Sequence, residues 1–105
     1  MTISGVRMAR FARVNEALRE CKDCIDAEDY DGGLQYATQA TNMAGQYGKE
    51  CSDLANVISG RGIIGTVDQL RDDAELFYDL RTNAIEYYNE CLQNGSGVDL
   101  NDPRR

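Results

Sequence analysis

The segment TVDQLRDDAELFYDLRTNAIEYYNECLQ, Thr66–Gln93, decides the fold because it is the longest uninterrupted helical pattern in the chain. Its apolar residues recur at steps of three and four, so they share one face of a helix. Thr66 and Gln69 have the spacing of a capping box, and Asn94-Gly95 predicts the helix end. At ~1.5 Å per residue this helix is about 40 Å long. Other helices must cover its apolar face, which comprises Leu70, Ala74, Phe77, Leu80, Ala84, Tyr88 and Cys91.

Three further helices are predicted upstream of this segment. Asp29 or Asp31 should cap the second of them, and Gly48 should end it. Gly60–Thr66 spells G-x-G-x-x-G, but no strand precedes it as a dinucleotide-binding loop requires, so we expect a hinge. The predicted upstream helices are Val6–Ala27, Tyr30–Tyr47 and Lys49–Ser59.

The predicted fold is therefore all-α, a small antiparallel helical bundle of about four helices with a long last helix. Residues 1–94 should form a single helical domain, and residues 95–105 a flexible C-terminal tail. Because the third helix is short, we expect the long helix to project beyond the bundle around Tyr87–Cys91.

The charge of the chain is strongly acidic and unevenly distributed. The net charge is −7, but residues 1–22 carry five basic and two acidic groups, a net of +3, and the remainder carries −10. An acidic surface argues against direct nucleic-acid binding. No apolar stretch approaches the ~20 residues of a membrane span. We expect a cytoplasmic protein, in the producing cell or in a host cell.

The composition also excludes several kinds of chemistry. Without histidine there is no Ser/His/Asp or Cys/His nucleophile and no imidazole metal site. Cys21 and Cys24 form a C-x-x-C pair inside a helical pattern, whereas Cys51 and Cys91 stand alone. We expect thiols packed in the core, with a disulfide as the alternative. The chain should not be an enzyme and should need neither cofactor nor metal.

The segment AEDYDGGLQYATQA, Ala27–Ala40, resembles the middle of a tetratricopeptide repeat. Tyr30 matches the aromatic residue of the turn in that family, and Gly33 and Ala40 match its small packing positions. Ala17 and Cys21 depart from the pattern, and no second copy follows at the family's ~34-residue period. The resemblance, over residues 15–40, implies an antiparallel helical hairpin and a role in protein binding.

Three groups of residues are candidates for binding a partner. Four carboxylates on the long helix form an acidic strip. Three arginines at spacing three line the first helix, where they could hold phosphates or carboxylates or form a solvated face. Three tyrosines on the long helix cannot all face its core. The candidates are Asp68, Asp72, Glu75 and Asp79; Arg7, Arg10 and Arg13; and Tyr78, Tyr87 and Tyr88.

Three functions fit these features. The first is a small acidic module that binds a protein and occupies its surface. The second follows from size and charge, which resemble those of phage anti-defence proteins, including anti-CRISPR proteins. That resemblance implies an inhibitor that mimics nucleic-acid charge and blocks a basic nucleic-acid-binding protein. The third is a structural homodimer built on the long helix.

Overall fold

The computed structural model describes residues 3–61 and 64–95, which form three helices: α1, Ile3–Asp26; α2, Tyr30–Ile58; and α3, Ile64–Gly95. Contacts run from the end of α1 to the start of α2, and from the start of α2 to the end of α3, so consecutive helices are antiparallel. No strand occurs in the described ranges. The all-α prediction is confirmed, but four helices is wrong because the second and third predicted helices are one continuous helix, α2.

Gly48 lies inside α2 and does not end it. A Cβ atom built on Gly48 would lie 3.0 Å from a ring carbon of Tyr78, so the glycine lets the tyrosine ring approach the helix closely. The prediction that Gly48 ends the helix is wrong, because this glycine serves helix packing and not helix termination. α2 ends ten residues later, at Ile58, where Ser59 is extended and Gly60 has φ +86°.

The predicted caps have mixed outcomes. Asp29 caps α2, as expected, since its Oδ1 accepts a hydrogen bond from Gly32 N at 3.1 Å. The capping box at Thr66 is wrong because α3 already begins at Ile64, and Gln69 instead donates to Asp73 Oδ1 at 3.1 Å. α3 extends to Gly95, the second residue of the predicted end Asn94-Gly95, so the first residue of the predicted tail is helical. The rest of the predicted tail, 96–105, and residues 62–63 of the predicted hinge lie outside the described residues.

α2 is the central helix, and small side chains form its buried face. This face lets α1 and α3 approach α2 closely from two sides. α1 and α3 share far fewer contacts with each other, and the Cα atoms spread over 57 × 30 × 13 Å, a flat arrangement. The buried residues of α2 are Gly33, Ala37, Ala40, Ala44, Gly48, Cys51 and Ala55.

Phe77 of α3 is the largest fully buried side chain, and it joins all three helices. Its ring stacks on Phe11 of α1, with centroids 4.2 Å apart, and meets the Tyr47 ring of α2 at 5.5 Å. Burial of such a ring contributes about 1.5–3 kcal/mol, and each aromatic pair roughly 0.5–1.5 kcal/mol more. Phe77 therefore supplies an aromatic contact between α1 and α3.

The prediction that α3 projects beyond the bundle around Tyr87–Cys91 is wrong. Cys91 is fully buried beside Gly33, and Tyr30 packs against Gly95. The reason is the length of α2, whose 29 residues cover α3 to its end. The apolar face of α3, on which a homodimer could have been built, is thus largely covered within the chain. Two apolar side chains of the other helices, Met8 of α1 and Leu54 of α2, are 66% and 50% exposed.

Candidate protein-binding surface

The four carboxylates of the predicted acidic strip are all exposed on α3. They follow one another at steps of four, three and four residues, which keeps them on one helical face. A step of seven residues, two helical turns, leads on to Glu86, and a step of four to Glu90; both are exposed on the same face, and the sequence reasoning missed them although the helical period could have revealed them. We name the six residues the α3 ridge: Asp68, Asp72, Glu75, Asp79, Glu86 and Glu90.

The α3 ridge carries charge that the described part of the chain does not neutralise. Within the described ranges, none of its six carboxylates makes an ion pair or a hydrogen bond. From Asp68 to Glu90 the ridge is about 33 Å long at ~1.5 Å per residue. It lies opposite the buried face of α3, which contains Ala74, Phe77, Ala84 and Cys91.

Two exposed apolar side chains flank the α3 ridge. Leu76 is 47% exposed and lies next to Asp72 and Asp79, its neighbours four and three residues away along the helix. Tyr78 is 42% exposed and lies next to Glu75. The ridge therefore combines fixed negative charge with apolar area that water still contacts.

Arg7 of the predicted arginine strip forms an ion pair with a buried carboxylate of the same chain. Its Nε lies 2.7 Å from Asp73 Oδ2, and the Asp73 side chain is 4% exposed. The hydrogen bond to Asp73 raises the pKa of Arg7, against the opposing effect of desolvation. Sequence reasoning missed Asp73, although its position between Leu70 and Phe77 places it on the apolar face of α3.

Arg10 and Arg13 are also engaged within the chain. Arg10 Nη1 lies 3.1 Å from Glu50 Oε2, and its guanidinium stands over the Tyr47 ring, 4.9 Å from the centroid. Arg13 Nη1 donates to Tyr47 Oη at 3.4 Å. These contacts join α1 to α2 and α3. The carboxylates that pair with Arg7 and Arg10 are Asp73 and Glu50, which do not belong to the α3 ridge, so these two arginines leave the charge of the ridge in place.

The three candidate tyrosines of α3 have different environments. Tyr87 is half-buried and packs against the core. Tyr88 is 36% exposed and lines a groove between α2 and α3 with Ile85, Thr38, Thr41 and Asn42. Tyr78 and Tyr88 therefore remain accessible to a partner, whereas Tyr87 has a packing role.

The four cysteines are free thiols, and Cys21, Cys51 and Cys91 are buried, as predicted for core thiols. Cys24 is only partly buried. Cys21 Sγ donates to Gly33 O at 3.2 Å. Burial, followed by the proximity of Cys91, raises the pKa of Cys21 to about 12, which keeps the thiol protonated. Over the described residues, no group of three or more Cys, Asp or Glu side chains is arranged to hold a metal ion.

Comparison with known proteins gives no relative: no protein-family model, curated protein or solved structure matches this chain. The resemblances to a tetratricopeptide hairpin and to anti-CRISPR proteins therefore stay predictions.

None of the three helices, over the described residues, is long and apolar enough to cross a membrane. The class that fold and surface define is a flat three-helix bundle with a negative ridge on its last helix.

Proposed function

We propose that this chain is a small acidic protein-binding module without catalytic activity, which uses the α3 ridge to occupy a surface of a partner protein. One observation carries the proposal: six exposed carboxylates, unpaired among residues 3–61 and 64–95, share one face of α3, with Leu76 and Tyr78 exposed beside them. Complementary charge speeds association and fixes orientation, and a tyrosine at the centre of an interface often supplies much of the affinity.

The free energies of ion pairs and of apolar burial indicate what the partner's surface must provide. An exposed ion pair contributes about 0–1 kcal/mol. Six such pairs fall short of the ~8 kcal/mol that a micromolar complex requires. Burial of Leu76 and Tyr78 has to add to them. The partner therefore presents a basic groove that contains an apolar pocket.

A nucleic-acid mimic of the anti-CRISPR type is the second candidate, and the length of the α3 ridge favours it. Its ~33 Å matches about one turn of duplex DNA, roughly 34–36 Å. However, the carboxylates are about 6.6 Å apart on average, whereas phosphates follow every ~3.4 Å along one DNA strand. At about half that charge density, a mimic would also need its apolar flanks to compete with nucleic acid.

A capture experiment with charge-matched variants tests the proposal. The ridge variant carries Asp72→Asn, Glu75→Gln and Asp79→Asn. The control carries Asp23→Asn, Asp26→Asn and Glu28→Gln, exposed residues near the α1–α2 turn. Each variant removes three negative charges from the net −7. In extracts of the source cells, at least one protein should be retained by the wild type and the control but lost by the ridge variant.

Equal retention by all three proteins would exclude the α3 ridge as the binding surface. Added duplex DNA or RNA then separates the two candidates. If the chain is a mimic, it and a nucleic acid should displace each other from the partner. If they do not, the mimic is excluded, while the protein-binding module stands. Light scattering addresses the homodimer: we expect a monomer at low salt, where facing ridges repel each other most.

A further inference from the structure

A second open surface lies on the other side of α2, in the groove between α1 and α2. The groove encloses about 500 Å³, within the ~300–1,000 Å³ typical of ligand sites. Among the described residues, those that line it come from α1 and α2 alone: Arg13, Glu16, Ala17 and Glu20 from α1, and Tyr36, Gln39 and Met43 from α2. It shares no residue with the α3 ridge.

The groove has an acidic end and a basic end. Because α1 and α2 are antiparallel, Glu20 and Tyr36 lie towards one end, and Arg13 and Met43 towards the other. Glu16 and Glu20 are one helical turn apart on α1 and therefore present neighbouring carboxylates. At the basic end, Arg13 already donates to Tyr47 Oη.

The polar groups of the acidic end have no partner in the part of the chain that the structure describes. Within the part that the structure describes, Glu16, Glu20, Tyr36 and Gln39 make no hydrogen bond or ion pair. Ala17, which is 6% exposed, and the half-buried Met43 give the groove an apolar floor. Free carboxylates, an aromatic ring and an apolar floor together match a cation on an apolar stem.

We propose that this groove binds an arginine side chain of an extended partner peptide. The guanidinium pairs with Glu20 and Glu16 and stacks on the Tyr36 ring, and its methylene stem lies on Ala17 and Met43. Arginine fits better than lysine because its planar guanidinium can pair with a carboxylate bidentately and stack on a ring at the same time. Nothing in this site depends on the α3 ridge, so either site can fail while the other stands.

Chemical-shift mapping of the full chain tests this site with short capped peptides. The probe is acetyl-Gly-Arg-Gly-amide, and the comparison peptides replace arginine by lysine or by neutral, isosteric citrulline. The arginine peptide should shift amides of residues 13–20 and 36–43 and saturate in the millimolar range, as expected for a single exposed side chain. The lysine peptide should bind more weakly, and the citrulline peptide should not saturate.

Variants assign the effect to named residues. Glu20→Gln should weaken binding of the arginine peptide about fivefold, and Tyr36→Leu about threefold, because each removes one contact to the cation. Glu28→Gln, at the exposed α1–α2 turn and outside both the groove and the α3 ridge, should leave it unchanged. Equal binding of the citrulline peptide, unaltered affinity in the Glu20 variant, or shifts confined to the ridge would each overturn the proposal. The amide spectra of the variants also show that they are folded.

Discussion

Gly33→Ala is expected to destabilise the bundle because a buried sulfur occupies the space that the new methyl group needs. A Cβ at Gly33 would lie 2.6 Å from Cys91 Sγ. Ordinary contacts are about 3.5–4.0 Å, so α2 and α3 would have to separate by about 1 Å. Overpacking of this kind costs about 1–3 kcal/mol, and replacing a helical glycine by alanine returns about 0.5–1 kcal/mol. The free energy of unfolding should fall by about 1–2 kcal/mol.

Urea unfolding followed by circular dichroism measures this change, and two further variants isolate its cause. Gly45→Ala is the matched control in the same helix, where the new Cβ would lie 3.3 Å from Nε of the exposed, movable Arg81. It should gain about 0.5–1 kcal/mol. Combining Gly33→Ala with Cys91→Ala removes the sulfur, so the double variant should be more stable than the sum of the single effects predicts. A stable Gly33→Ala variant, or strict additivity, would refute the close approach of α2 and α3.

Two more predictions concern buried ionisable side chains. Arg7→Met should lower the free energy of unfolding by about 3 kcal/mol, because it leaves the Asp73 carboxylate buried and without a cation. Asp73→Leu should lower it by only about 1–2 kcal/mol, since Arg7 can turn to water. Urea unfolding measures both changes, and the reverse order would contradict this reasoning. The raised pKa of Cys21, about 12 against an ordinary 9.0, stabilises the folded state below pH 9 and loses that effect as the pH rises towards 12. From about pH 8 to about pH 10, the wild type should lose about 1.4 kcal/mol more than Cys21→Ala, and equal losses would contradict a buried neutral thiol.

Helical periodicity predicted most of the fold because burial of one face leaves a direct pattern in the sequence. Ala74, Phe77, Ala84 and Cys91 are inside as expected. Glycine was the weak point, since the same residue can end a helix or admit a neighbouring ring. Only the position of Tyr78 shows that Gly48 does the latter.

The candidate surface was predicted in part, for a related reason. The exposed strip Asp68–Asp79 follows from spacing within one helix. The pairing of Arg7 with Asp73 joins residues 66 positions apart, and no local pattern encodes that distance. An aspartate on the apolar face of α3 was nevertheless a readable sign that a cation lies opposite.

Carboxyl footprinting of the complex with a captured partner tests most directly whether the α3 ridge is the binding surface. A carbodiimide couples an amine to carboxylates that solvent can reach, and mass spectrometry then locates the modified residues. On partner binding, the α3 ridge carboxylates should lose labelling, while Asp23, Asp26 and Glu28 keep theirs. Unchanged labelling of the ridge, with protection of the α1–α2 turn instead, would contradict the account.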